Sequence, residues 1–175
     1  MNSLKKISIL IVPAVLLLLL AFSNNSCNIY KFRDISIPDT IKTVKVNFIE
    51  NRATYINPQL SPQLTDKLRQ KIVSQTRLRQ TNGDNADWEI NGTITDYGFS
   101  TSGISNQQTA SNNLNVSVHV IFKNRMDDKK SKESDVSVSF PFSANISFSQ
   151  AEAALLDDVV KNVTDEMFNK VFSDW

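Results

Sequence analysis

The chain has 175 residues, 41% of them hydrophobic and 21% charged, with ten phenylalanines, a composition that excludes a disordered polymer. Nineteen basic residues against 18 acidic ones exclude the broad positive field of a nucleic-acid binder. One histidine and one cysteine leave little from which to build a metal centre, a disulfide or a Cys/His catalytic pair.

The N-terminus carries Lys5 and Lys6, then an apolar run over residues 7–20, then small or polar residues up to Ser26. Ser8 and Pro13 interrupt the run, which falls short of the ~20 apolar residues a spanning helix needs. Residues 1–26 therefore read as a secretory signal. Cys27 follows directly, and this placement suggests a lipoprotein whose thiol is acylated before cleavage. The preceding box, Asn24-Asn25-Ser26, lacks the usual leucine three residues before the cysteine. The alternative is a buried thiol that happens to follow a signal. Two or more acyl chains would hold the protein at a membrane whatever the rest of the chain looks like. Cleavage also removes Lys5 and Lys6, which turns the formal charge from +1 to −1. Residues 27–40, with Pro38, read as a lipidated tether. Residues 41–175 read as one domain of ordinary size.

Val44, Val46 and Phe48 alternate with Thr43, Lys45 and Asn47, which predicts a first strand with one buried face. Asn57-Pro58 and Ser61-Pro62 each fit a cap followed by proline in a first helical turn. Leu60, Leu64, Leu68 and Ile72 then recur every four residues, so the first helix should end near Gln75 to Leu78. After a turn at residues 82–85, Trp88, Ile90 and Ile94 share one parity that shifts by Tyr97 and Phe99, which predicts a bulge near Asp96. Residues 101–113 read as a polar loop. Leu114, Val116, Val118, Val120 and Phe122 form the clearest strand, and a charged turn separates it from Val136, Val138, Phe140 and Phe142. Pro141 favours an edge. Ser149 and Glu152 fit a capping box, followed by Leu155, Val159, Val163, Met167 and Val171 on one helical stripe.

The order β-α-β-β-β-α, with one apolar face per strand and one stripe per helix, predicts an α+β fold. It should have two layers, a four-stranded, mostly antiparallel sheet with both helices packed on one face. The other face then carries Asn91, Thr93, Asn115, Ser117, His119, Ser137 and Ser139 among mostly short hydroxyl and amide side chains. Two readings fit: an ordinary solvated face, or a face that meets another polar surface. Lys123, Arg125, Lys129, Lys130 and Lys132 cluster around the charged turn, diluted by Asp127, Asp128 and Glu133. They serve either solubility or contact with an anion such as a lipid phosphate. No catalytic group, metal site or cofactor is expected. His119 lies alone on a strand, and the side chains of Asp157 and Asp158 diverge on a helix.

Six strings carry a wider resemblance. They are Asn47-Phe48-Ile49-Glu50-Asn51-Arg52, Asn57-Pro58-Gln59-Leu60-Ser61, Thr65-Asp66-Lys67-Leu68-Arg69, Ser74-Gln75-Thr76-Arg77-Leu78, Gly92-Thr93-Ile94-Thr95-Asp96-Tyr97, and the ending Phe168-Asn169-Lys170-Val171-Phe172-Ser173-Asp174-Trp175. In this order and spacing they resemble the LptE family, lipopolysaccharide-assembly lipoproteins of Gram-negative outer membranes, across essentially the whole mature chain. The resemblance implies a non-enzymatic lipoprotein on the periplasmic face of the outer membrane, with two helices on a four-stranded sheet. Such proteins plug the LptD β-barrel, help it assemble and assist lipopolysaccharide delivery to the outer leaflet. The polar sheet face would then meet the polar barrel lumen. A different class of reading is a free, periplasm-facing lipoprotein that binds envelope glycan or lipid without a barrel partner.

Overall fold

The computed structural model describes residues 37–101 and 111–172. The chain divides into a segment Met1–Asp34, outside the described residues, and a unit Ile35–Trp175. The segment read as a signal, residues 1–26, with Cys27, most of the 101–113 loop and Trp175, lies outside them.

Six strands form one sheet: β1 (Thr43–Val46), β2 (Glu50–Asn51), β3 (Arg79–Gln80), β4 (Trp88–Thr101), β5 (Asn112–Asn124) and β6 (Lys132–Phe142). Among the described residues the α-helices are α1 (Leu60–Gln75) and α2 (Phe148–Phe172). The sheet runs β3-β1-β4-β5-β6, with β2 also on β4. β1 is parallel to both its neighbours, while β4, β5 and β6 form a long antiparallel meander. The α+β class and the helices' single-face packing agree with expectation. The strand count is corrected from four to six, because β2 and β3 are two-residue pairings, too short to leave an alternating pattern.

One parity of each long strand is buried: Val44 and Val46 on β1, Trp88, Ile90 and Ile94 on β4, Leu114, Val116, Val118, Val120 and Phe122 on β5, and Val136, Phe140 and Phe142 on β6. The helical stripes of Leu60, Leu64, Leu68 and Ile72, and of Val159, Val163, Met167 and Val171, close over this face in a single core. Trp88 anchors it, edge-on to Phe122 at 5.1 Å and tilted against Phe172 at 5.8 Å. Gly92 lets the layers approach closely, since a Cβ there would lie 3.0 Å from Ile49 Cγ1 and 3.3 Å from Met167 Cε.

Two bulges set which side chains point where. On β4, Ile94 faces Val118 but Asp96 faces Ser117, so β4 carries one extra residue and Tyr97 turns into the core. This is the bulge expected near Asp96. The other was not anticipated. Val46 pairs with Ile90 and Glu50 with Thr93, so the first strand gains a residue between its two pairings with β4. Phe48, expected inside, is therefore 56% exposed, and Ile49 takes the buried place at 1%.

The helix starts also differ in detail. α1 follows Gln59, whose amide is accepted by Asn57 Oδ1 at 2.8 Å, and Pro62 sits in its first turn. At α2 the capping pair is Ser147 and Gln150, each side chain accepting the other's amide at 3.3 and 3.0 Å. The expected Ser149–Glu152 pair lies two residues too late, and Glu152 is engaged elsewhere.

Candidate functional site

The open face of the sheet is built by the parity that the core leaves over. Register places Asn115 opposite Ser139, Ser117 opposite Ser137, and His119 between Thr93 and Asp135. All seven residues nominated from the sequence, Asn91, Thr93, Asn115, Ser117, His119, Ser137 and Ser139, fall on this one surface.

Their side chains bond across the strands. Ser139 Oγ donates to Asn115 Oδ1 at 2.7 Å, and Asn115 Nδ2 donates to Ser100 Oγ at 2.9 Å. Ser117 and Ser137 share a 2.9 Å hydrogen bond, and His119 Nδ1 donates to Asp135 at 2.8 Å. Nearer the first strand, Asn47 Nδ2 donates to both Glu89 Oε1 at 2.8 Å and Asn91 Oδ1 at 2.7 Å. Burial pushes the Glu89 carboxyl up, but Arg125, Asn47 and Asn91 outweigh it and hold the group below its ordinary range. Such cross-strand pairs fix short side chains in place, so the face is a preorganised polar floor. Long cations stand mainly at its margins.

The five nominated cations gather at one end of the meander, around the β5–β6 turn. Asn124, itself buried, holds the turn by accepting the amides of Met126 and Asp127 at 3.0 and 3.1 Å. A short 3₁₀ turn, Asp128–Lys130, then projects Lys129 and Lys130 into solvent. Arg125 is occupied by Glu89 at 3.2 Å, Lys123 is exposed opposite Glu89, and Lys132 is half-buried. The nominated group thus divides into two free-standing lysines and three residues on the sheet margin. The chain enters the fold at this same end, where the Lys42 and Thr43 amides donate to Asp87 Oδ2 at 2.8 and 2.9 Å. The Lys42 amide leads in holding the Asp87 carboxyl below its usual value.

At the opposite end the loop after β2 folds onto the first turns of α2. Asn57 Nδ2 donates to Glu152 Oε1 at 2.7 Å, and the Tyr55 hydroxyl donates to Glu152 Oε2 at 3.1 Å. The bond to Glu152 raises the Tyr55 hydroxyl above its ordinary range, and burial raises Tyr97 further. Tyr55 stacks on Tyr97 at 5.9 Å and meets Phe148 edge-on at 5.3 Å, and Phe99 leans on Phe148 at 5.3 Å. Sequence reasoning missed this cluster. Its members lie 95 and 97 residues apart and no local pattern links them.

A family model described as LptE, lipopolysaccharide-assembly, matches residues 41–171. The chain belongs to the LptE family. Two solved structures share the fold of this LptE-family chain. One is hypothetical protein CT253 from Chlamydia trachomatis, at 8% identity over 77% of this chain and 99% of that one, with a TM-score of 0.55. The other is uncharacterized lipoprotein B from Nitrosomonas europaea, at 15% identity over 82% and 90%, with a TM-score of 0.51. At these identities the likeness concerns the fold alone. No curated protein sequence matches the chain.

Proposed function

We propose that this LptE-family protein is a non-enzymatic outer-membrane lipoprotein, anchored through Cys27 at the periplasmic face, that partners an LptD-type β-barrel. It helps the barrel assemble and assists delivery of lipopolysaccharide to the outer leaflet. The observation that carries this reading is the open sheet face. It is polar, internally hydrogen-bonded and made mostly of short side chains, which lets it approach the polar wall of a barrel lumen closely. An ordinary solvated sheet face has no need of that closeness. Among the described residues no helix is long and apolar enough to cross a membrane, so in this reading attachment runs through acylated Cys27. The exposed Lys129 and Lys130, with Lys123, Arg125 and Lys132 beside them, offer cations to lipopolysaccharide phosphates.

Purification from detergent-solubilised outer membranes tests the reading. LptD should co-purify. Recovery of the protein alone, together with normal barrel assembly in its absence, would overturn it.

A further inference from the structure

Between the loop after β2 and the start of α2 lies a cleft of about 240 Å³, lined in part by Tyr55, Pro58, Gln59, Ser149, Glu152 and Leu156. Its floor is built. Asn57, only 7% exposed, is fixed on both sides of its amide, accepting from Gln59 N and donating to Glu152. Each Glu152 oxygen accepts one protein hydrogen bond and keeps a further lone pair. The Tyr97 hydroxyl is buried in the same cluster, beside Asn57 and Glu152.

The chemistry of the lining selects a ligand class. Tyr55 and Pro58 supply flat, carbon-rich walls and Leu156 an aliphatic one, while Gln59, Ser149 and Glu152 supply an amide, a hydroxyl and a carboxylate. Glu152 is the sole charged lining residue and no cation accompanies it, so a phosphate or carboxylate ligand is repelled. A flat apolar wall beside hydroxyl-matching polar groups suits a ring that is apolar on its faces and hydroxylated at its rim. The geometry points to a binding site for a neutral sugar ring, seated against Tyr55 and Pro58 with its hydroxyls donating to Glu152 and bonding Gln59 and Ser149. The site lies at the other end of the meander from the basic turn, so its chemistry is separate from any phosphate contact there.

The test is an NMR titration of the full chain, isotope-labelled, in amine-oxide detergent micelles that carry no sugar headgroup, with N-acetylglucosamine as the probe. The expected result is saturable, millimolar binding that shifts the Asn57 side-chain amide and the Ser149 backbone amide. Tyr55→Ala should abolish those shifts. Ser149→Ala leaves the Asn57–Glu152 contact intact and should weaken binding about three- to tenfold, the worth of one neutral hydrogen bond. Absence of saturable shifts, full binding by both variants, or binding of the ammonium sugar glucosamine alone would each overturn the inference. Because the readout is a free sugar, its failure leaves barrel association, read by co-purification, untouched.

Discussion

The Ile49 amide donates to Thr65 Oγ1 at 3.0 Å, and Thr65 Oγ1 in turn donates to the Ser61 carbonyl at 2.7 Å. This pair joins the unanticipated bulge to α1. An extra residue in a strand leaves backbone groups that the ladder cannot satisfy. Here the freed amide is buried, and a helix hydroxyl completes it.

Thr65→Val keeps the shape and removes the acceptor. It should destabilise the fold by about 1–3 kcal/mol, the cost of a buried unpaired donor. Thr65→Ser keeps the hydroxyl and should recover most of the loss. Urea midpoints of the three proteins, measured side by side, check the order.

Gly92 tests the same corner from the sheet. Gly92→Ala places a Cβ 3.0 Å from Ile49 Cγ1 and 3.3 Å from Met167 Cε, so these side chains must give by a few tenths of an ångström. A loss of about 1–3 kcal/mol is expected from overpacking. Gly98 has nothing within 4 Å of its would-be Cβ, so Gly98→Ala should change the thermal midpoint little.

These two sites show what can be read from the chain and what cannot. The apolar alternation of β4, β5 and β6 and the four-residue stripes of both helices state their own burial. Once they do, the opposite parity, from Asn91 to Ser139, is assigned to the open face without further information. The first strand misleads because Val44, Val46 and Phe48 keep period two beyond the point where the pairing slips. Nothing local marks the slip; it is set by where Ile94 and Thr65 lie in three dimensions. The Tyr55–Glu152 contact is hidden for the same reason. Glu152 has a plausible local role as a helix cap, and only the folded chain shows it serving a distant loop.

Stability should fall on acidification in a way that Asp87 explains in part. The Lys42 amide first, then the Thr43 amide and hydroxyl, hold its carboxyl below the ordinary 3.8 in the folded state. A depressed carboxyl contributes its full stability above the unfolded value and loses it as pH falls through the folded one. Asp84, bonded to Lys45, and Glu89 act in the same direction. Asp87→Asn should lower stability at about pH 7 and shrink the further drop as pH falls below about 4. Urea unfolding at several pH values gives both quantities.

The exposed lysines of the 3₁₀ turn make a separate prediction. Lys129→Ser with Lys130→Ser should leave the fold intact and weaken lipopolysaccharide binding severalfold at low salt. The difference should shrink as salt rises, since exposed charges are screened over about 10 Å at 0.1 M. Equal binding at low salt would assign these two lysines to solubility alone.

The open face makes the sharpest prediction. Ser137 is exposed at the centre of β6, hydrogen-bonded only to Ser117 among the described residues. Ser137→Arg puts a long charged chain on a surface otherwise floored by short ones, at a stability cost of about 0.5 kcal/mol or less plus the single exposed bond. If the face seats against a barrel wall, that chain holds the two surfaces apart, and LptD recovery should fall severalfold while the thermal midpoint barely moves. Glu166→Arg, exposed on α2 away from the sheet face, reverses a charge without entering the contact. It should co-purify with LptD as the unaltered protein does. Equal LptD recovery by both variants would move the interface off the sheet, because a packed polar contact cannot absorb an arginine at its centre without loss.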